Sequence, residues 1–135
     1  KATESNINLE FHITARLENP PIPAWELCRI LSNLLDNAIF AAAEAGGSVH
    51  ITLREDINSV YFSIENSGSI DKELVEKIFE PGFTTKGDRG TGMGLFIVKE
   101  TMEKYNGQIS IDTGAGLTRF YGYIPTSHKN ITNDI

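Results

Sequence analysis

The feature that most constrains this chain is a run of three glycines at alternate positions, Gly90, Gly92 and Gly94, directly before a predicted helix. Glycine destabilises a helix interior by roughly 1 kcal/mol relative to alanine, so this spacing is unfavourable for an ordinary helix start. It does leave uncovered N–H groups at the positive end of the helix dipole, where a phosphate chain would bind. The alternative is a flexible, glycine-rich loop without a ligand. No G-x-x-x-x-G-K-[ST] pattern occurs, so the stretch is not a P-loop.

Two cations lie just upstream of these glycines. Lys86 and Arg89 can neutralise phosphate oxygens, and they stand out because the chain has a formal net charge of −6. That charge argues against a general nucleic-acid binder or a binder of anionic membranes. Residues 80–94 hold five glycines and no apolar periodicity, which predicts a mobile loop.

The bulk composition is that of one soluble domain. The chain has 135 residues, 40% of them hydrophobic, and no apolar run long enough to span a membrane. The single cysteine, Cys28, excludes a disulfide framework and is expected to be a small buried residue on a helix. There is no signal peptide, so we expect a cytoplasmic domain.

Hydrophobic periodicity predicts the order of elements. Alternation predicts strands at residues 7–13, 49–53, 60–64, from 109, and at 117–124, and the first is expected to be a half-buried strand, in which apolar residues alternate with polar ones. Helical spacing predicts helices at 25–45, 71–79 and 95–105, the two long ones ending at Gly46-Gly47 and Asn106-Gly107. Strand pairs interspersed with helices predict an α+β two-layer sandwich, a mixed sheet with helices on one face. We expect one domain over residues 1–125 and a polar tail over 126–135.

The first long helix carries two carboxamides, Asn33 and Asn37, in the stretch SNLLDNA. At 100° per residue they lie about 40° apart, at the border of the apolar stripe. A carboxamide oxygen there would suit Mg²⁺, with phosphates and waters completing the octahedron. The alternative is that both side chains bond neighbouring backbone. Asp36 is expected to face solvent.

The strand ending at Ile64 runs into Glu65-Asn66-Ser67-Gly68. A polar side chain at a strand end, followed by a glycine that allows close approach, is a candidate for recognising a base. The alternative is an ordinary turn, because Asn, Ser and Gly are turn residues.

Taken together and in order, these motifs resemble a known family. NLLDNA resembles its asparagine box, ENSG its first glycine box, IFEPGFTT its phenylalanine box and GTGMGL its second glycine box, covering about residues 25–105. The family is the ATP-binding catalytic domain of bacterial two-component sensor histidine kinases, which shares the Bergerat fold with gyrase, mismatch-repair and heat-shock chaperone ATPases. ENSG and GFTTKGDRG look most like the citrate- and quorum-sensing kinases.

The resemblance implies three helices on a mixed sheet and a site for Mg-ATP. Asn37 would coordinate Mg²⁺, and Asn33 would assist from the same face. Asn66 stands where the family usually has an aspartate that accepts the adenine amino group. Gly68 corresponds to the first glycine of that box, and the second has no clear counterpart. The remaining nucleotide-binding positions implied by the resemblance are Thr85, Lys86, Arg89, Gly90, Thr91, Gly92, Met93, Gly94 and Leu95, with Phe79 and Phe83 as anchors of a lid.

The residue type at position 33 separates branches of the superfamily. Related self-contained ATPases have a glutamate there as general base, whereas an asparagine has no useful basicity. This favours transfer of phosphate to a histidine, with Asn33, Lys86 and Arg89 in positioning or charge-neutralising roles and no certain catalytic residue. Two alternatives remain open: a docking module that no longer binds ATP, and a self-contained ATPase.

None of the three histidines, His12, His50 and His128, is followed by the acidic residue typical of a phosphorylated site. We therefore expect the acceptor helices to lie upstream of Lys1, in a dimerisation domain of the same kinase. The expected partners are ATP, that domain and, indirectly, a response regulator. We expect the isolated domain to be monomeric. A parent protein that is anchored in a membrane would be compatible with this expectation.

Overall fold

The computed structural model of the protein describes residues 7–82 and 94–126. These residues form five strands and three helices, which confirms the predicted α+β class. The elements are β1 (Asn8–Ile13), α1 (Ala24–Ala45), β2 (Ser48–Glu55), β3 (Ser59–Ser67), α2 (Lys72–Val75), α3 (Gly94–Lys104), β4 (Gln108–Gly114) and β5 (Leu117–Pro125). None of the helices in these two ranges is long and apolar enough to cross a membrane. The predicted polar tail lies almost entirely outside the described residues, so the domain boundary stays a prediction.

The strands form a single mixed sheet in the order β1-β2-β3-β5-β4. β1 and β2 are parallel and are joined through α1, while the other neighbouring pairs are antiparallel. α1 packs on β2 and β3, and α3 packs on α1 and β4. The core therefore lies between the sheet and the helices, as predicted. Its largest fully buried apolar side chains are Ile22, Ile30, Leu34, Ile64, Ile78, Met102 and Ile124.

The first strand differs from its prediction. Phe11 and Ile13 lie on its apolar side, yet they are 55% and 57% exposed, so that side of the strand is not fully buried. They pair with Ile51 and Leu53, two buried residues of β2, so their side chains leave the sheet on the same face as the core. β1 is the edge strand, however, and the helices pack over its neighbours. Alternation identifies a strand, but it does not tell an edge strand from a central one.

Both long helices end as predicted. Gly46 has a φ of +67°, and the Gly47 N–H donates to Ala42 O at 3.0 Å. At the end of α3, Asn106 has a φ of +63°, and the Gly107 N–H donates to Met102 O at 2.8 Å. Each is a left-handed cap in which the N–H of the glycine that follows the left-handed residue reaches back to the last turn of the helix.

Two further predictions are wrong in part. The helix predicted at 71–79 covers only Lys72–Val75, none of whose residues is buried, and single turns follow, such as Lys77 N–H to Leu74 O at 2.9 Å. Ile78 is the buried apolar residue of this segment, and it lies in those turns rather than in the helix. Its packing on the core therefore does not require the helix to continue beyond Val75. Cys28 is exposed on α1, because the buried stripe of that helix runs through Leu27 and Ile30.

Candidate functional site

The two asparagines of α1 lie where the helical spacing predicts. Each immediately precedes a fully buried residue, Asn33 before Leu34 and Asn37 before Ala38. Both are half-buried, whereas Asp36 is exposed as expected. The carboxamides thus stand at the border of the apolar stripe, open to a ligand and held by a helix that packs on the sheet.

Gly94, the first residue of α3, approaches Asn33 closely. A Cβ on Gly94 would lie 3.6 Å from Asn33 Oδ1 and 3.7 Å from Asn33 Cγ. The N-terminus of α3, whose first N–H groups have no partner within the helix, therefore faces the carboxamide of α1. These residues are 61 positions apart in the sequence, and the fold brings the asparagine box and the second glycine box together. Leu95 follows Gly94 and packs half-buried against the core.

The other predicted phosphate-binding positions lie outside the described residues. They are Thr85, Lys86, Arg89, Gly90, Thr91, Gly92 and Met93, together with the lid residue Phe83 and the whole of the predicted mobile loop except its ends. Their roles stay predictions.

Asn66 lies at the end of β3 and is only 3% exposed. Its Nδ2 donates to Ser67 O at 2.7 Å. This bond fixes the orientation of the carboxamide, whose oxygen is its only hydrogen-bond acceptor. The role of position 66 as acceptor of the adenine amino group stays a prediction.

Gly68 turns the chain beneath α1. Its φ of +108° is one that residues with a side chain rarely adopt, and its N–H donates to Gly116 O at 2.7 Å. A Cβ at this position would meet Ala41 O of α1 at 3.6 Å and Ala45 Cβ at 3.8 Å. The glycine is therefore required by its backbone conformation and brings the first glycine box against the C-terminal half of α1.

A single stripe of α1 connects the three motifs. Residues 33, 37 and 41 are four apart and so lie on one helix face, about 6 Å from one to the next along the axis. The second glycine box meets this stripe at Asn33, and the first glycine box meets it at Ala41. Asn37 stands between them on the same stripe, and its role as a magnesium ligand stays a prediction.

Thr118 of β5 is a site residue that no sequence motif reveals. It pairs with Asn66 across the sheet and is 2% exposed. Its hydroxyl donates to Gly68 O at 2.7 Å and lies 3.0 Å from the hydroxyl of Thr113. Thr118 thereby holds the turn after Asn66. The signal that could have found it is the pairing of β3 with β5, which the sequence alone does not specify.

Phe79 is anchored on the core just before the segment that follows Gly82. Its ring meets Phe120 edge to face, with the centroids 6.1 Å apart, and Lys99 Nζ lies 5.7 Å from the Phe79 centroid. Hydrophobic packing accounts for this residue, and a role in anchoring a lid stays a prediction. No cluster of three or more His, Cys, Asp or Glu side chains suited to a metal ion occurs in the two described ranges.

Comparison with known proteins gives consistent results. Residues 24–128 match the family model described as histidine kinase-, DNA gyrase B- and HSP90-like ATPase. One relative is a protein of Halalkalibacterium halodurans named as a probable C4-dicarboxylate sensor kinase. It is 30% identical over 109 residues, which cover 77% of this chain and 20% of the relative. The chain thus spans about a fifth of the length of that relative.

Solved structures share the fold. The catalytic domain of histidine kinase ThkA, in a nucleotide-free form, is similar with a TM-score of 0.79 and 33% identity, covering 93% of this chain and 82% of that domain. ThkA in complex with the response regulator protein TrrA is similar with a TM-score of 0.76 and 30% identity, covering 95% of this chain and 36% of the other.

Proposed function

The chain belongs to the family of histidine kinase-, DNA gyrase B- and HSP90-like ATPases, and on that premise we propose that it binds Mg-ATP and donates the γ-phosphate to a histidine on a separate acceptor domain. It is homologous to the catalytic domains of sensor histidine kinases. In such a domain catalysis consists of positioning the phosphates and neutralising their charge, rather than of covalent chemistry within the domain.

The observation that carries the proposal is the stripe of α1. One end of it faces Gly94 at the N-terminus of α3, a position suited to phosphate. The other end faces Gly68, next to the buried amide of Asn66, a position suited to an adenine amino group. A ligand with a base at one end and phosphates at the other fits both ends at once.

The residues present also suit magnesium. Asn37 offers a neutral carboxamide oxygen between the two ends, and Mg²⁺ usually takes few protein ligands, with phosphates and waters supplying the others. Asn33, beside Gly94, would orient the phosphates. The bound ion would neutralise charge on the phosphoryl group being transferred.

We propose that the acceptor histidine belongs to another domain, since neither of the two described histidines is placed as an acceptor and His128 lies outside the described residues. His50 has a carboxylate partner within the sheet, with Nδ1 3.1 Å from Glu10 Oε1, and His12 lies on the edge strand β1. Both are in regular strands, away from the α1 stripe. We propose that the acceptor lies on a dimerisation domain of the same kinase and passes its phosphate to a response regulator, as the complex of ThkA with TrrA suggests. We further propose that the isolated domain is a monomer in the cytoplasm and that its parent can be attached to a membrane.

Calorimetric titration with ATP, with and without Mg²⁺, tests the proposal. We expect saturable binding at one site, strengthened by Mg²⁺, and no hydrolysis by the isolated domain. If a folded domain bound no ATP under either condition, the docking module would be the better description. Steady hydrolysis without a partner would instead indicate a self-contained ATPase.

A further inference from the structure

A buried carboxylate joins the two helices that carry the site, at the end far from the site itself. Glu26, in the first turn of α1, is 2% exposed although it is charged. A carboxylate is rarely buried unless it is paired. Nothing in the predicted motifs accounts for it, and it takes no part in the binding site described above.

The partners of Glu26 come largely from α3 and the residue that follows it. The Tyr105 hydroxyl donates a short hydrogen bond to Glu26 Oε2, and Lys104 Nζ lies 3.3 Å from the same oxygen. Arg29 of α1 donates to Glu26 Oε1 at 3.2 Å and also to the buried Thr101 Oγ1 at 3.3 Å. We call Glu26, Arg29, Thr101, Lys104 and Tyr105 the Glu26 cluster.

The charges in the cluster suit the ionised form of Glu26. The hydrogen bond from Tyr105 holds the pKa of Glu26 below its usual value, although burial opposes it; the hydrogen bond and charge of Lys104 and the charge of Arg29 act in the same direction as Tyr105. The bond between Glu26 and Tyr105 raises the pKa of the Tyr105 hydroxyl. The position adds to this effect, because a carboxylate in the first turn of a helix and a lysine in the last turn both complement the helix dipoles.

Three contacts show that α1 and α3 run antiparallel from this cluster to the site. Glu26 meets Lys104 and Tyr105, Arg29 meets Thr101, and Asn33 meets Gly94. The first two are polar bonds between side chains, whereas the third is only a close approach, in which a Cβ added to Gly94 would lie 3.6 Å from Asn33 Oδ1. Polar bonds at the C-terminal end of α3 therefore fix its position along α1, and a rigid helix carries that position to Gly94.

We propose that Glu26 is a positioning residue, which through Tyr105 and Lys104 sets the place of the α3 N-terminus relative to Asn33 and so controls binding of the phosphate groups. This role rests on the proposed function. This role should affect phosphate binding and base binding differently, because the base end of the site, at Asn66 and Gly68, is held by β3 and β5 rather than by α3. Loss of the cluster should therefore weaken phosphate binding and spare base binding.

Two variants test this role. Tyr105→Phe keeps the ring and removes the hydroxyl, and Glu26→Gln removes the charge while keeping the shape. For each variant we would measure the affinity for ATP by calorimetry and the affinity for adenosine by chemical-shift titration. Thermal melting would confirm that the variant is folded. We expect ATP to bind about tenfold more weakly, as for loss of a charged hydrogen bond, and adenosine affinity to stay within about twofold.

Glu103→Gln is the matched control, since it makes the same charge change at an exposed position of α3. It should alter neither affinity. Equal losses for ATP and adenosine in the cluster variants would show a merely structural role, and unchanged ATP binding would show none, so either result overturns the proposal. A wild-type domain that bound neither nucleotide would overturn the proposed function itself, and this role with it.

Discussion

The two ends of the candidate site are built by different means. The base end rests on the sheet, where Asn66 and Thr118 are paired residues of β3 and β5 and Thr118 bonds Gly68 O. The phosphate end rests on helix packing, where Gly94 approaches Asn33 without a hydrogen bond between them. A ladder of backbone bonds fixes one end, and side-chain contacts between α1 and α3 fix the other. The phosphate end should therefore be the more easily displaced by mutation.

The largest effect is expected between the two ends. Asn37→Ala should remove Mg²⁺-dependent ATP binding, because the residue supplies the expected metal ligand. Loss of a group that merely supports a metal ligand typically costs 10–100-fold in affinity, so loss of the ligand itself should cost about 100-fold or more. The fold should survive, since the side chain is half-buried at the border of the core.

Ser32→Ala is the control for this variant, since it shortens an exposed polar side chain on the same helix. Calorimetry with and without Mg²⁺ on both variants gives the comparison. Tight magnesium-dependent binding by folded Asn37→Ala would remove this residue from the metal role.

A pair of glycine variants separates the two ends. Gly68→Ala places a side chain at a φ of +108° and should lower the free energy of unfolding by about 1–3 kcal/mol. Gly94→Ala should leave stability nearly unchanged, because the added methyl would make ordinary contact with Asn33 at 3.6 Å. It should still weaken ATP binding by roughly tenfold, since the methyl covers amides that would bind phosphate.

Urea unfolding and ATP titration of both glycine variants would check this. If Gly94→Ala unfolded more easily than Gly68→Ala and bound ATP normally, the contrast between a sheet-held end and an open phosphate end would be wrong.

A smaller effect is expected at Asn66. From the sequence alone, Asn66→Asp should keep or strengthen ATP binding, because a carboxylate is the stronger acceptor. The structure adds a cost, since a carboxylate cannot donate to Ser67 O as the amide does. We expect ATP affinity to be kept while stability falls by about 1 kcal/mol.

Asn8→Asp, at an exposed position of β1, is the matched control and should change neither property. Asn66→Ala should lose the preference for ATP over GTP, because guanine presents a carbonyl where adenine presents an amine. An alanine variant that kept both its affinity and this preference would contradict the adenine assignment.

The smallest effect concerns pH. The folded pKa of Glu26 lies below its unfolded value of about 4.5, chiefly because of Tyr105. Its contribution to stability is therefore present above that pH and is lost as the pH falls through the folded pKa. The difference in unfolding free energy between wild type and Glu26→Gln should shrink as the pH is lowered from about 6.

The pKa of Asp56 is also lowered, because the N–H groups of Asn58 and Ser59 donate to its carboxylate. Asp56 is present in both wild type and Glu26→Gln, so its contribution cancels from the difference in their unfolding free energies. A difference that grew on acidification would contradict the assigned protonation of Glu26.

Much of the fold is predictable from local sequence. The strands follow from alternation, and both long helices end at the glycine or asparagine positions expected for left-handed caps. What local pattern does not carry is which elements lie side by side. The exposure of Phe11 and Ile13 depends on β1 being an edge strand, which is a property of the sheet order.

The candidate site divides in the same way. Asn33, Asn37, Asn66 and Gly68 could be selected from the sequence because they stand in motifs. Thr118 and Glu26 could not, because their partners are 50 and 79 residues away in the chain and no periodicity links them. The assignment to the citrate- and quorum-sensing branch stays a prediction.

The central claim is that one nucleotide spans the α1 stripe, with its base at Gly68 and its phosphates at Gly94. Titration of the isotope-labelled domain with Mg-ATP, followed by backbone amide chemical shifts, tests this most directly. The account predicts that the amides of Asn66 and Gly68 and those of Gly94 and Leu95 shift along one saturation curve with a single Kd. Shifts confined to one end, or two ends that saturate with different Kd values, would contradict it.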